Sequence, residues 1–178
     1  MTTQSSLKAP LAQAPQTTEI DTKTGLLVTL RATRAWVRAM QPGTADEKRV
    51  HYLQQWHAAF AELNCVPAAR QWDAVMQFLA TKATHPFYIG CAGCGAVNKH
   101  ELRMMAVLAC HQLEFRSAAM GHLSFWFEGI ALEKMFDLTA LYADYLLLNG
   151  YRFPENSKDI PRHDLASADT FFTKGECH

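Results

Sequence analysis

The sequence predicts an all-α fold: a single helical bundle of about five helices, with a glycine-rich Cys-x-x-Cys loop of zinc-knuckle type entering before a buried central helix. Three observations carry that expectation. Apolar residues recur at three- and four-residue spacing through most of residues 21–151. The periodic runs are separated by turn-forming residues, Pro42-Gly43, Pro67 and Asn149-Gly150. With 178 residues, 49% of them hydrophobic, the chain can bury one sizeable core and is too short for two ordinary domains.

Residues 1–20 are rich in Thr, Gln, Ala, Pro and Ser and offer almost nothing to bury, so a disordered N-terminal arm is expected there. The helical domain is expected over 21–151. Leu26, Leu30, Thr33, Val37 and Met40 form the apolar stripe of a first helix ending at Gln41-Pro42-Gly43. Arg31, Arg34 and Arg38 lie opposite as a short basic face. Thr44 is the expected N-cap of a second helix, with Asp46 and Glu47 favouring its positive end, and Val50, Leu53, Trp56, Phe60 and Leu63 form its buried stripe. His57 falls on that stripe and reads as a satisfied core residue. Pro67 suits the first turn of a third helix built on Ala68, Trp72, Val75, Met76 and Leu79, antiparallel to the second.

Helical periodicity stops after Lys82. Residues 83–97 hold Pro86, three glycines and the extended apolar run Phe87-Tyr88-Ile89. Asn98 followed by Glu101 has capping-box spacing and starts a fourth helix, apolar nearly all round and hence expected at the centre. A fifth helix is expected from Gly121–Ser124 to Asn149-Gly150, with a break at Asp137. Residues 152–178, with Pro154, Pro161 and mixed charges, read as a loose C-terminal tail.

The chemistry concentrates between His85 and His111. In Gly90-Cys91-Ala92-Gly93-Cys94-Gly95, two thiolates can reach one ion from a single turn, and the glycines let the backbone bend around it. The turn resembles those of zinc ribbons and rubredoxin-type sites. His85, six residues before Cys91, and His100, six after Cys94, are symmetric candidates to complete a tetrahedral Zn(2+) site. On the fourth helix, Arg103, Cys110, His111 and Glu114 share one sector and form a second candidate, a ligand pocket or a structural polar network. Complete enzyme signatures are missing: there is no phosphate-binding glycine loop, no Gly-x-Ser-x-Gly, no His-Glu-x-x-His and no Glu-x-x-His pair.

Lys plus Arg and Asp plus Glu are both 17, so no global field draws the chain to nucleic acid or anionic lipid. The N-terminus has no secretory pattern and no apolar run suits a membrane span, which points to a cytoplasmic protein. The leading expectation is a zinc-stabilised, non-catalytic regulatory or adaptor protein acting through a protein partner. One alternative is an enzyme or a redox or ligand sensor using the Cys-x-x-Cys loop or the stripe Arg103, Cys110, His111 and Glu114. Another is a transcriptional regulator that contacts nucleic acid through Arg31, Arg34 and Arg38, helped by Lys48 and Arg49.

Overall fold

The structure, a computed structural model, describes residues 23–90 and 95–154. They form six helices: α1 (Thr24–Met40), α2 (Asp46–Glu62), α3 (Val66–Lys82), α4 (Lys99–Gln112), α5 (Arg116–Leu123) and α6 (Gly129–Leu148). Each runs opposite to the one before. Long-range contacts fix that alternation: Arg31 meets Glu62 across α1 and α2, Gln71 donates to the Leu138 carbonyl across α3 and α6, and Phe78 faces Phe127. The turns 41–45, the connector 83–98 and the segment 124–128 therefore gather at one pole. Lys23 and Pro154 lie at the opposite pole, where Tyr151 packs beside Gly25 and the Tyr151 hydroxyl donates to the Leu63 carbonyl.

The most enclosed helix is α1. Leu26, Val28, Leu30, Ala32 and Ala39 are fully buried, and Thr29, Thr33 and Arg34 are buried with them. A helix surrounded in this way must satisfy its polar side chains internally. The Thr29 hydroxyl donates to the Gly25 carbonyl (2.7 Å), so the Tyr142 phenol at 2.7 Å is left to donate to Thr29. Thr33 donates to the Thr29 carbonyl (2.7 Å) and accepts from the Trp72 indole (3.1 Å). Around these bonds Trp72, Tyr142, Phe60 and Trp56 stack edge to face or tilted, at centroid separations of 4.4 to 6.4 Å. α2 covers one side of α1, while α3, α4 and α6 close the other through these side chains.

Several expectations are corrected. The described residues form six helices rather than five: the break falls at 124–128, just before Gly129 opens α6 at φ +52, and residue 137 lies inside α6. The central helix is α1, not α4, because α1 carries Arg34 inward and the sequence periodicity counted it as outward. Thr44 does not cap α2. Ala45 holds that position, and the Thr44 hydroxyl donates to the Arg38 carbonyl at the end of α1 (3.0 Å). α2 buries less than its pattern implied, since Val50 is exposed, Leu53 half-buried and His57 exposed. Tyr151–Pro154 belong to the fold: Phe153 is buried and its backbone N–H donates to the Gln112 side chain (2.7 Å). The arm and most of the tail expected from the sequence, residues 1–20 and 155–178, lie outside the described residues, as do Cys91 and Cys94.

The Zn(2+) expectation is also corrected. Among the described residues no group of three or more His, Cys, Asp or Glu side chains is placed to hold a metal ion, so neither a zinc knuckle nor zinc stabilisation is supported. His85 and His100 each already have other company, described below. No helix among the described residues is long and apolar enough to cross a membrane.

Candidate functional site

Residues 83–90 and 95–98, between α3 and α4, are organised around one buried ion pair. Arg34 and Glu101 are both almost wholly excluded from solvent, and the guanidinium grips the carboxylate with two bonds, Nε to Oε1 at 2.7 Å and Nη2 to Oε2 at 3.0 Å. The remaining carboxylate capacity takes backbone N–H groups from the connector, Gly90 at 3.1 Å and Asn98 at 2.9 Å. Arg34 Nη2 also donates to the Ala96 carbonyl (2.9 Å). A buried charge pair is tolerated only when its leftover lone pairs and protons find partners, which these backbone groups supply. The Asn98–Glu101 capping box expected from the sequence is present and is part of the same network.

This pair demands close approach by backbone. A Cβ built on Gly90 would lie 2.6 Å from Arg34 Nη2, so only glycine fits against the guanidinium there. Farther along the connector, Thr84 gives both its N–H (2.8 Å) and its hydroxyl (3.0 Å) to the Trp126 carbonyl, and the Asn98 amide reaches the Tyr88 carbonyl (3.0 Å). These bonds tie Thr84 to the segment before α6 and Tyr88 to the start of α4.

Residues 83–90 form one wall of an open cleft of about 750 Å³, whose other walls are the C-terminal ends of α1 and α3. Trp36, Met76, Leu79 and Phe87 supply its apolar lining, with Arg38, His85 and Tyr88 around it. The size falls in the range of ligand pockets, roughly 300–1,000 Å³. No Asp or Glu lines the cleft, and a smaller neighbouring depression, again without a carboxylate, shares Arg38, Gln41 and Pro42 with it and adds Lys48 and Tyr52.

The residues singled out in the sequence are distributed otherwise. His85 is exposed, stacks on Phe125 at 5.3 Å and shares a hydrogen bond between its Nδ1 and the Thr84 hydroxyl (3.0 Å). His100 is buried among the rings of Phe87, Tyr88, Phe125 and Trp126, with Nδ1 accepting weakly from the Tyr88 N–H at 3.5 Å. Burial lowers its pKa, with Lys99 and Arg103 adding to the effect. Phe125 thus touches both imidazoles expected to ligate metal.

The stripe on α4 is divided among separate partners. Arg103 lies over Phe125 at 4.2 Å and Trp126 at 5.8 Å, a cation–π arrangement near the turn pole. His111 packs on Phe136 at 4.5 Å and bonds the Thr139 hydroxyl at 2.8 Å. Because Thr139 already donates to the Met135 carbonyl (2.9 Å), His111 Nε2 is assigned as the donor. Burial, and secondarily Arg116, depress the His111 pKa to about 4, so the ring is neutral. Burial pushes the Cys110 thiol up, which makes it a poor nucleophile at neutral pH. Glu114 is exposed and ends α4 in a left-handed conformation, φ +60.

The basic face of α1 dissolves in the same way. Arg31 pairs with Glu62 at 3.2 Å, Arg34 is consumed by Glu101, and Arg38 sits 5.9 Å from the Tyr52 ring. Three arginines that share a helical sector on paper therefore have three different environments and do not form one continuous basic face.

The cleft escaped the sequence reading because its walls come from three stretches that have no common motif. The residues that hint at it are Phe87, Tyr88 and Ile89 in the connector, which no helix claims, and they do not by themselves define a void. No protein-family model matches the chain, and neither a curated protein nor a solved structure shows a significant likeness to it.

Proposed function

We propose that the protein acts non-catalytically, as a cytoplasmic binding module that receives an apolar segment of a protein partner in the cleft between α1, α3 and the connector. The observation that carries this reading is the combination of cleft and clamp. A concavity of about 750 Å³ has one wall made of irregular chain, and that wall is preset by the buried Arg34–Glu101 pair. A wall fixed before binding lowers the ordering cost that a partner must otherwise overcome. The candidate chemical groups support a binding role over a catalytic one: His111 is neutral and hydrogen-bonded, Cys110 is held as a thiol, and Arg103 is engaged with aromatic rings.

The test is selection of 12-residue peptides from a random display library on the full-length chain, followed by counter-selection on Ala80→Trp. Ala80 is exposed and lines the cleft, so the indole fills the site without entering the core. Peptides that bind the native chain should lose at least tenfold in affinity on the filled variant, with unchanged helical circular dichroism. Binders that ignore the substitution, or a selection that yields none, would remove the reading.

A further inference from the structure

We infer that the partner segment is anionic as well as apolar, and that Arg38 is the residue that takes its carboxylate; this rests on the cleft reading above and adds a chemical identity to it.

Arg31, Arg34, Arg49 and Arg116 each meet a carboxylate, at 3.2, 2.7, 3.1 and 3.0 Å, and Arg70, Arg103 and Arg152, which meet none among the described residues, do not line the cleft. Among the described residues no carboxylate meets Arg38; its guanidinium stands beside the Tyr52 ring, with its centre 5.9 Å from the centroid. Arg38 is half-buried and lines both the cleft and the neighbouring depression. Neither lining contains an Asp or Glu; nearby, Asp46 is paired with Arg49 and Asp73 accepts from the Trp36 indole, so among the described residues no carboxylate competes for the guanidinium.

One feature of α1 works against an anion at this place, the partial negative charge at a helix C-terminus. Here that charge is already met. Arg49 Nε donates to the Ala39 carbonyl (3.1 Å), and the Thr44 hydroxyl and Gln41 N–H both donate to the Arg38 carbonyl. The end of α1 is thus capped by donors and by a second cation, leaving the Arg38 fork to a ligand. Beside it, Trp36, Met76, Leu79 and Phe87 offer an apolar floor for a neighbouring side chain. The matching ligand is a peptide with Asp or Glu next to an aromatic or large aliphatic residue, held by a charge-assisted fork and by burial of the apolar group.

The experiment uses three peptides, acetyl-Asp-Phe-Leu-amide, acetyl-Asn-Phe-Leu-amide and acetyl-Lys-Phe-Leu-amide, titrated into the full-length chain while the backbone amide resonances of Tyr88, Ile89 and Gly90 are followed. The Asp peptide should bind about five- to tenfold more tightly than the nearly isosteric Asn peptide, and the Lys peptide should bind most weakly. Arg38→Gln should erase the Asp–Asn difference while retaining the weaker apolar binding. Equal affinities for the Asp and Asn peptides, or a difference that survives Arg38→Gln, would overturn the anionic assignment and leave the cleft reading standing. No shift at these amides with any of the three peptides, up to 10 mM, would overturn both.

Discussion

Replacing Glu101 by Gln keeps the shape of the side chain and removes its charge, and the structure specifies what that costs. The carboxylate accepts four hydrogen bonds, two from Arg34 and one each from the backbone of Gly90 and Asn98. A glutamine at this position has one acceptor oxygen and introduces an N–H2 group facing donors. The guanidinium of Arg34 stays buried beside the Ala96 carbonyl but loses the carboxylate that met its charge. Breaking one partner of a buried pair costs about 3–5 kcal/mol. For a chain of this size that corresponds to a fall in Tm of roughly 6–20 °C. The assay is urea unfolding of the full-length chain with the slope held common, run as a cycle with Arg34→Met. Glu101→Gln should be the most damaging single change, because Arg34→Met leaves the carboxylate its two backbone donors. Adding Arg34→Met to Glu101→Gln should recover stability, since the stranded cation disappears. A loss below about 1 kcal/mol for Glu101→Gln, or a double variant that is simply the sum of the two singles, would refute a dry, mutually dependent pair.

Two further outcomes follow from geometry at other points. Gly90→Ala should weaken the fold, because the new methyl group meets Arg34 Nη2 at 2.6 Å and the Ala96 carbonyl at 3.3 Å, and the buried guanidinium has no room to retreat; a loss of about 1–3 kcal/mol in chemical unfolding is expected, and an unchanged midpoint would show that the connector yields instead. For His111 the folded pKa of about 4 lies below the 6.5 of an unperturbed histidine. Between those values the unfolded chain takes up a proton that the folded chain refuses, so stability is complete above pH 6.5 and falls as pH drops toward 4. Allowing for the part of the ring that solvent reaches, the loss is about 2–3 kcal/mol. His100 and His122 are shifted in the same direction, also chiefly by burial. His111→Gln, which keeps a donor toward Thr139, should flatten the stability profile across that window, whereas parallel profiles for the two proteins would count against the depressed value.

Helices were legible in the sequence wherever burial followed a simple stripe. α3 shows its core face openly, with Ala68, Trp72, Val75, Met76 and Leu79 all buried as their spacing implies. The start of α4 was legible from two letters, Asn98 and Glu101, because a capping box is local chemistry. α1 was misread for the opposite reason: its polarity is paired over long range, and a pattern that assigns every arginine to solvent cannot anticipate Glu101 placed against Arg34. The same limit applies to the candidate sites. Histidines and cysteines clustered in sequence suggested a metal centre, but His100 lies in an aromatic cage and His85 against Phe125, environments set by residues 125 and 126 on a different segment. The cleft needed three separate stretches to be assembled before it existed at all, and no local residue choice announces such a void.

The polar attachments of α1 also bear on the order in which the protein is completed during synthesis. Thr33 awaits Trp72, 39 positions later; Arg34 awaits Glu101, 67 positions later; and Thr29 awaits Tyr142, 113 positions later. The first of the described helices is therefore among the last to be finished. Trp72 and Glu101 reach Thr33 and Arg34 as α3 and α4 are added, but Thr29 has no phenol beside it until α6 has been translated. Closing such distant contacts slows folding relative to a bundle stitched together by neighbours. It also makes the final helix a checkpoint: a chain truncated before Tyr142 leaves the centre of the molecule open along its whole length.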